Sequence, residues 1–326
     1  MKIVITGALG HIGSYLIRRL PQLIPHCHIV MIDNLSTQRY CSLFNLNADT
    51  HYQFIQEDIT DKKCSLEFYL KESNVVIHLA AITDAANSFN QKQFVEHVNF
   101  TATKKVAQTC AKLNIPMIMA SSTSVYGTQA NTVDEDCDQS ELKPQSPYAE
   151  TKLKEEQFIL ETCQSNTLQA VIFRFGTIFG TSPGMRFHTA VNKFCWQAVM
   201  ELPLTVWKTA YHQKRPYLHL DDAATTVAYF IQNQIFDNHI YNVVSTNATV
   251  CDIVAEIQSH IPTTTVNFVE HKIMNQLSYE VLNTRLTQLG IHLNGKLSIG
   301  IANTIDFLKN ANQESYKNSR TQSITA

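Results

Sequence analysis

The first thirteen residues constrain the fold of this chain more than any other segment. An apolar run, Lys2–Thr6, leads directly into Gly7, Gly10 and Gly13, and an amphipathic stretch follows. A strand, a glycine turn and a helix start, in that order, form the place where a dinucleotide pyrophosphate sits. The glycines let the backbone turn tightly and approach the phosphates, and the helix N-terminus faces negative charge. The segment therefore predicts binding of NAD or a close relative.

Strand and helix patterns alternate through the first half of the chain. Repeated strand–helix–strand units predict an α/β protein with a Rossmann-type, doubly wound parallel sheet. The predicted strands are Lys2–Thr6, His28–Ile32, Tyr52–Ile55, Val75–Leu79, Met117–Ser121 and Gln169–Phe173, and the predicted helices are Gly13–Leu20, Phe94–Leu113 and Tyr148–Glu161.

The pattern changes after Gly180, where segments become shorter. We predict a helix over His188–Met200, a strand over Leu204–Trp207, a helix capped by Asp221, and a further helix opened by a capping box at Thr249–Asp252. This half is expected to form a smaller α/β substrate domain over the sheet. The predicted division is an NAD-binding domain at 1–180, to which the chain returns later, a mainly substrate-binding domain at 181–309, and a mobile polar tail at 310–326.

Composition narrows the choice of partners and compartment. The formal net charge of the 326 residues is −2, without a long basic block, which disfavours nucleic acid and anionic membranes. No apolar run is long enough to span a bilayer, and the chain enters a strand at once, so we expect neither a membrane span nor a signal peptide. The eight scattered cysteines show no metal-ligand spacing and indicate reduced thiols in a cytoplasmic protein.

Asp33 is the first candidate for cofactor selectivity. It ends the second predicted strand about 20 residues past the glycines, where a carboxylate accepts hydrogen bonds from the adenosine ribose and repels a 2′-phosphate. The alternative is a strand-end aspartate in a turn with Asn34 and Ser36. Arg39 could accommodate a 2′-phosphate, so the sequence favours NAD over NADP without excluding NADP.

Tyr148 and Lys152 are the candidate proton-transfer pair. Residues four apart share one face of a helix, and an ammonium beside a phenol favours phenolate and lowers the phenol's pKa. A tyrosine tuned in this way can take a proton from an alcohol or give one to a ketone. The alternative is a surface helix that carries both residues by chance. Ser122, just after the fifth predicted strand, could bind the same substrate oxygen, or could simply belong to a polar loop.

In combination, these segments resemble the extended short-chain dehydrogenase/reductase family, and within it the NAD-dependent nucleotide-sugar epimerases and dehydratases, including UDP-glucose 4-epimerases. The resemblance covers nearly the whole chain. Its motifs are the glycine turn, Asp33–Ser36, Asp58–Ile59, His78–Ala81, Asn99, Ser121–Gly127, Tyr148 with Lys152, Arg174–Gly180 and Arg215–Asp222.

The resemblance also implies roles for individual residues. The implied catalytic residues are Ser122, Tyr148 and Lys152. The implied NAD contacts are Gly7, Gly10, His11, Ile12, Gly13, Asp33, Asn34, Asp58, Ile59, Leu79, Ala80, Ala81, Asn99, Tyr148, Lys152 and Phe175. The implied substrate contacts are Thr83, Thr123, Thr177, Arg186, Asn192 and Arg215, of which Arg215 would contact the diphosphate. No metal is implied, and His78 is expected to pack beneath the cofactor loop.

Departures from the family's patterns narrow the reaction. The 4,6-dehydratases carry an Asp-Glu pair directly after the catalytic hydroxyl, where this chain has Thr123 and Ser124. The 3,5-epimerase/reductases carry a cysteine where Ser124 stands. Thr177 replaces the asparagine of many galactose-type epimerases, and Thr83 stands where some of those enzymes carry lysine. Dehydration and ring-proton abstraction are therefore disfavoured, and the identity of the sugar stays open.

The leading hypothesis is an NAD-dependent epimerase that inverts C4 of a nucleotide-linked sugar through a transient 4-keto intermediate. One alternative is an NAD(P)H-dependent 4-ketoreductase of a nucleotide sugar, which needs the same three residues. The second is a non-catalytic NAD-sensing module, because a fold does not fix a function. We also expect a homodimer, in which the helices predicted at Phe94–Leu113 and Tyr148–Glu161 pair with their copies. The alternative is that these helices pack on the sheet alone.

Overall fold

A seven-stranded parallel sheet lies at the centre of this computed structural model, which describes residues 1–84, 87–127, 131–165, 168–270 and 278–311. Within these ranges the strands are β1 (Lys2–Thr6), β2 (His28–Asp33), β3 (His51–Gln56), β4 (Val75–His78), β5 (Met117–Ser122), β6 (Thr132–Val133), β7 (Ala170–Phe175), β8 (Thr177–Phe179), β9 (Leu204–Trp207), β10 (Lys214–His219), β11 (Ile240–Val243), β12 (Thr246–Thr249), β13 (Val266–Val269) and β14 (Glu280–Val281).

Helices cover both faces of this sheet, whose strand order is β11-β7-β5-β4-β1-β2-β3. All residues of β4 and β7 are buried, as expected for parallel strands covered on both faces. In the same described ranges the helices are α1 (His11–Leu23), α2 (Leu66–Leu70), α3 (Lys92–Leu113), α4 (Pro147–Gln164), α5 (Ala190–Val199), α6 (Leu220–Gln232), α7 (Val250–His260), α8 (Thr284–Gln288) and α9 (Leu297–Leu308).

Two apolar layers sandwich the sheet. One packs α1 and α6 against it and includes Leu16, Phe173 and Phe230, and the other packs α2, α3 and α4 against it and includes Val106 and Ile159. A third apolar cluster joins α5, α7 and α9 to β8, β9 and β10 in the later half of the chain. The predicted Rossmann-type fold is confirmed, and strand β11 returns from the later half to complete the sheet.

The sheet topology places the ends of several strands together. The chain runs outward from β1 to β2 and β3 on one side and to β4, β5 and β7 on the other, so the strand order reverses between β1 and β4. Ligands of open α/β sheets bind at the carboxyl ends of the strands beside such a reversal. The glycine turn follows β1 there, and Ser122 is the last residue of β5.

Most predicted elements lie within a few residues of their observed bounds, and the capping box at Thr249 and Asp252 is confirmed. The predicted cap at Asp221 is wrong, because His219 caps α6 by accepting a hydrogen bond from the Asp221 amide. The Asp221 carboxylate instead pairs with Arg19 at 2.7 Å. No helix in the described ranges is long and apolar enough to cross a membrane. Of the predicted tail, residues 312–326 lie outside the described part of the chain.

Candidate active site

The glycine turn has the conformation that its sequence predicts. Gly7 has a φ of +67°, and a Cβ there would lie 2.6 Å from the Ala80 backbone nitrogen, so only glycine fits. Gly13 is held equally closely against Gly7 and Ala8. Gly10 precedes α1 and has no side chain to cap the helix. The first turn of the helix also carries no acidic residue. The amides of His11, Ile12 and Gly13 therefore offer donors for an anion.

Asp33 at the end of β2 holds the loops on either side of it. Its Oδ2 accepts a hydrogen bond from the Leu9 amide at 3.0 Å, and its Oδ1 accepts one from the Leu35 amide at 2.9 Å. The Asn34 side chain donates to Asp58 Oδ2 at 3.2 Å, which links the ends of β2 and β3. Ile59 is buried in the apolar layer against α2 and α3.

The loop after β4 is fixed from beneath. Leu79, Ala80 and Ala81 are partly buried, and Asn99 in α3 exchanges two hydrogen bonds with the Ile82 backbone, at 2.8 and 3.0 Å. His78 lies below, buried between Thr6 and Thr103, and burial lowers its pKa to about 3. The prediction that His78 packs beneath this loop is confirmed, and its imidazole is neutral.

Tyr148 and Lys152 share one face of α4, as their spacing requires. Ser146 caps this helix by accepting from the Ala149 amide, and Pro147 takes its first position. The Ser122 hydroxyl lies close enough to the phenol to act on its pKa, in the lowering direction. Ser122 Oγ also accepts hydrogen bonds from the amide and hydroxyl of Ser124, at 3.1 and 2.9 Å. The structure thus brings Ser122, Tyr148 and Lys152 together.

The phenol differs from the sequence-based expectation. Burial is the largest influence and raises the pKa of Tyr148 above its ordinary value, although Lys152 and Arg186 act to lower it. The Lys152 ammonium is itself ion-paired with Glu155, whose carboxylate also raises the phenol's pKa. The expected lowering by Lys152 is present, but burial outweighs it.

Arg186 approaches the phenol from the later half of the chain. Its guanidinium donates to the Thr83 hydroxyl, and burial is the main cause that lowers its pKa. Asn192, wholly buried in α5, donates to the Arg186 carbonyl oxygen at 3.1 Å and lies 3.3 Å from His11 Nε2. Its own Oδ1 has no hydrogen-bond partner among the described residues.

Other predicted substrate residues occupy different parts of the structure. Thr123 is buried and donates to the Phe175 carbonyl oxygen at 3.2 Å, and Phe175 itself packs in the apolar layer beside α1. Thr177 begins β8, next to β10, which carries Arg215. The Arg215 guanidinium donates to Gln213 at 2.8 Å, and burial is the main cause that lowers its pKa.

Sequence reasoning missed a contact between the two halves. The Ser182 hydroxyl lies 2.7 Å from His11 Nδ1, and the Gly184 amide donates to Ser14 Oγ at 2.9 Å. A Cβ on Gly184 would lie 2.4 Å from the Leu9 carbonyl oxygen. The segment after β8 therefore sits directly on the glycine turn. The Ser-Pro-Gly composition of residues 182–184 was the only sequence signal for a close approach.

Two buried glutamates, Glu155 and Glu156, were also missed. Glu156 makes a bidentate pair with Arg174, whose Nη2 lies 2.7 Å and whose Nε lies 3.0 Å from its carboxylate oxygens. Glu155 pairs with Lys152 at 2.9 Å. Both follow Lys154 in a charged run that is typical of a solvated helix face, so the sequence gave no reason to place them inside.

These residues fit a dinucleotide. An uncapped helix start suits a pyrophosphate, and the Asp33 carboxylate stands at the strand end where a ribose would lie. Next to this dinucleotide site lie three further polar side chains. They are Ser122 at the end of β5, Tyr148 in the first turn of α4, and Arg186 in the segment before α5.

Comparison with known proteins identifies the family of this chain. The family described as "NAD dependent epimerase/dehydratase family" matches residues 3–243. An uncharacterized UDP-glucose epimerase of Bacillus subtilis is 31% identical over 232 residues, which cover 68% of this chain and 70% of that protein. A trifunctional UDP-glucose 4,6-dehydratase/UDP-4-keto-6-deoxy-D-glucose 3,5-epimerase/UDP-4-keto-L-rhamnose-reductase of Arabidopsis thaliana is 29% identical over 308 residues, or 89% of this chain.

The chain spans only 44% of the length of that plant protein. Among solved structures, UDP-glucuronic acid 4-epimerase from Bacillus cereus, in complex with UDP-glucuronic acid and NAD, superposes with a TM-score of 0.80. The two sequences are 28% identical, and the match covers 95% of this chain and 100% of the other.

Proposed function

The chain belongs to the NAD-dependent epimerase/dehydratase family and is an NAD-dependent enzyme, and from that premise we propose that it inverts C4 of a nucleotide-linked sugar through a transient 4-keto intermediate. The observation that carries the proposal is the junction of Ser122, Tyr148 and Lys152 at the ends of β5 and α4. This junction offers proton transfer at an alcohol oxygen, which C4 inversion requires beside reversible hydride transfer to NAD+.

Each of the three residues has a distinct task in this proposal. Tyr148 takes the proton of the C4 hydroxyl, and Ser122 holds that oxygen by a hydrogen bond. Lys152 stabilises the phenolate by its positive charge. NAD+, when bound, supplies reversible hydride acceptance at the sugar carbon. Once the keto sugar has rotated in the pocket to present its other face, Tyr148 returns the proton to the oxygen.

The substrate side is cationic. Arg186 lies close enough to act on the pKa of Tyr148, and it donates to Thr83 on the opposite loop. A guanidinium suits a diphosphate or a sugar carboxylate, because it offers paired donors in one plane. The Bacillus relatives act on or bind UDP-glucose and UDP-glucuronic acid by name. We therefore favour a UDP-linked hexose or hexuronic acid as substrate.

Dehydration is the reaction named first for the plant relative, and local chemistry argues against it here. Elimination of water needs a general acid and base beside Tyr148. Thr123 and Ser124, which follow Ser122, carry hydroxyl groups that are committed to Phe175 and Ser122. The carboxylate that acts on the phenol is that of Glu155, and it is wholly buried on the Lys152 side.

The test is incubation of purified protein with UDP-, dTDP-, GDP- and CDP-sugars without added cofactor. We expect interconversion of two C4 epimers, with NAD retained by the protein and released on heating. Tyr148→Phe should lose turnover and keep NAD, whereas Tyr229→Phe, on the surface of α6, should retain both. Consumption of NADH with a 4-keto sugar would support the ketoreductase alternative instead. Bound NAD without turnover of any sugar would support the NAD-sensing alternative.

The homodimer and the domain bounds stay predictions. The faces of α3 and α4 that pack together carry an edge-to-face pair, Phe100 and Phe158, and Phe94 is exposed nearby on α3. We propose that this helix pair meets its copy across a two-fold axis. Analytical ultracentrifugation of the wild type and of Phe94→Glu tests this, with a monomeric wild type as the contrary outcome.

A further inference from the structure

Lys152 is held in a buried ion pair three residues along its own helix. Its Nζ donates to Glu155 Oε2 at 2.9 Å and to the Ala120 carbonyl oxygen at 3.0 Å. The side chains of Lys152 and Glu155 are 4% and 0% exposed. Because both side chains are buried, solvent screens this pair little, and the carboxylate acts strongly on charges nearby.

A chain of hydrogen bonds continues from Glu155 to the base of the glycine turn. Thr103 donates to Glu155 Oε2 at 3.0 Å, and His78 Nε2 lies 3.1 Å from the Thr103 hydroxyl oxygen. His78 Nδ1 lies 2.7 Å from the hydroxyl oxygen of Thr6, the residue before Gly7. An ionised Glu155 requires Thr103 to donate to it, so His78 Nε2 donates to Thr103 and Thr6 donates to His78 Nδ1. Every hydrogen bond of this chain can thus be made while Glu155 only accepts.

The second oxygen of Glu155, Oε1, is buried and has no hydrogen-bond partner in the described part of the chain. Burial does not stabilise charge on this oxygen, so the ionised form depends on the Lys152 ammonium and the Thr103 hydroxyl at Oε2. The charge of the pair acts strongly on its buried surroundings. The phenol of Tyr148 is part of those surroundings, one helical turn before Lys152.

The charges around the pair oppose one another. Lys152 and Arg186 lower the pKa of Tyr148, and Glu155 raises it. Burial lowers the pKa of Lys152, while Glu155, Tyr148 and Glu156 raise it. His78, whose pKa is about 3, is neutral and adds no charge. Removal of the Glu155 charge therefore makes both the phenol and the ammonium release a proton more readily.

We propose that Glu155 is a positioning residue that holds the Lys152 ammonium beside Tyr148 and sets the pH at which this pair releases its first proton. The inference rests on the proposed function only in that Tyr148 serves there as the base. Neutralising Glu155 without changing its size should shift proton release to lower pH, because the remaining positive charge then favours phenolate without opposition.

The decisive experiment reads the phenol directly and needs no substrate. Protein with carbon-13 at the tyrosine ζ position gives one NMR signal for each of its 12 tyrosines, and Tyr148→Phe identifies the signal of Tyr148. In Glu155→Gln we expect this signal to titrate about one pH unit lower than in the wild type. The matched control is Glu150→Gln on the same helix, whose exposed carboxylate pairs with Lys92 and should leave the titration unchanged.

A second readout separates positioning from folding. If the protein is active, both limbs of the rate profile against pH should move to lower pH in Glu155→Gln. The negative charge that opposes proton release from both the phenol and the ammonium is then gone. A merely structural Glu155 would reduce stability without moving either limb. Should the glutamine variant not fold, Glu155→Ser leaves room for water and gives the same reading.

An unchanged Tyr148 titration in a folded Glu155 variant would overturn the proposal, whatever the protein catalyses. A lowered titration in a protein that turns over no sugar would instead keep this proposal and reject the proposed reaction. The two failures are therefore distinguishable.

Discussion

The Oδ2 atom of Asp33 accepts a hydrogen bond from the Leu9 amide at 3.0 Å, so the carboxylate that ends β2 also holds the glycine turn after β1. Two tasks thus fall on one side chain. It fixes the loop that would face a pyrophosphate, and it presents negative charge where a ribose 2′ position would lie. Arg39 is close enough to Asp33 for the carboxylate to raise its pKa, although burial lowers that pKa overall.

Asp33→Asn should weaken NAD binding roughly tenfold and narrow the preference for NAD over NADP, because a charged acceptor is lost and repulsion of a 2′-phosphate disappears. Isothermal titration calorimetry with both cofactors measures this. Asp49→Asn, on an exposed turn, is the matched control. An unchanged ratio of the two affinities would mean that Asp33 does not select the cofactor.

The buried pair of Glu156 and Arg174 should dominate the stability of α4. Its side chains are 2% and 3% exposed, and Glu156→Ala would leave the Arg174 guanidinium buried without its counter-charge. We expect a loss of about 3–5 kcal/mol in the free energy of unfolding. Glu96→Ala, which breaks an exposed pair with Lys154, should cost below about 1 kcal/mol. Urea unfolding of both variants makes the comparison, and equal losses would contradict it.

His78 should make stability depend on pH. Its folded pKa of about 3 lies below the ordinary histidine value of 6.5, so between these pH values the unfolded chain binds a proton that the folded protein excludes. Stability is therefore retained above pH 6.5 and is lost as pH falls toward 3. His78→Asn should reduce this slope by about 1.4 kcal/mol per pH unit.

Urea unfolding between pH 4.5 and 6.5 measures that slope. His97→Asn, exposed on α3, provides the control and should keep the wild-type slope. An equal slope in His78→Asn and the wild type would show that this imidazole takes up its proton without unfolding.

Local patterns carried most of the fold prediction. Glycine turns, strand alternation and helix spacing depend on neighbours a few residues away, so β1, the glycine turn and the face shared by Tyr148 and Lys152 followed from the sequence. The cap of α6 did not, because aspartate is the commoner capping residue and an imidazole accepts the hydrogen bond only in the right tautomer. Asp221 is instead drawn to Arg19, 202 residues away.

The burial of the charged residues near Tyr148 could not be predicted from the sequence for the same reason. Lys154, Glu155 and Glu156 follow one another, and only their partners distinguish them. Lys154 meets Glu96 at the surface, while Glu155 meets Thr103 and Glu156 meets Arg174 inside. Those partners come from α3 and β7, and a pattern within α4 carries no information about them. The predicted lowering of the Tyr148 pKa was wrong for the same reason, because burial raises it and burial depends on the tertiary structure.

The contact of Gly184 with the glycine turn yields the last prediction. A Cβ at Gly184 would lie 2.4 Å from the Leu9 carbonyl oxygen and 2.5 Å from that of Gly10, and these backbone atoms cannot move aside cheaply. Gly184→Ala should therefore displace the segment or the turn and weaken NAD binding by tenfold or more, which corresponds to roughly 1.4 kcal/mol.

Gly290→Ala is the control, because its φ of +74° makes alanine strained but nothing lies within 4 Å of the added Cβ. It should lower the free energy of unfolding by about 1 kcal/mol and leave the NAD affinity unchanged. Calorimetric titration with NAD, beside urea unfolding of both variants, distinguishes a local effect on the turn from general destabilisation. Wild-type NAD affinity in a folded Gly184→Ala would mean that this contact does not shape the cofactor site.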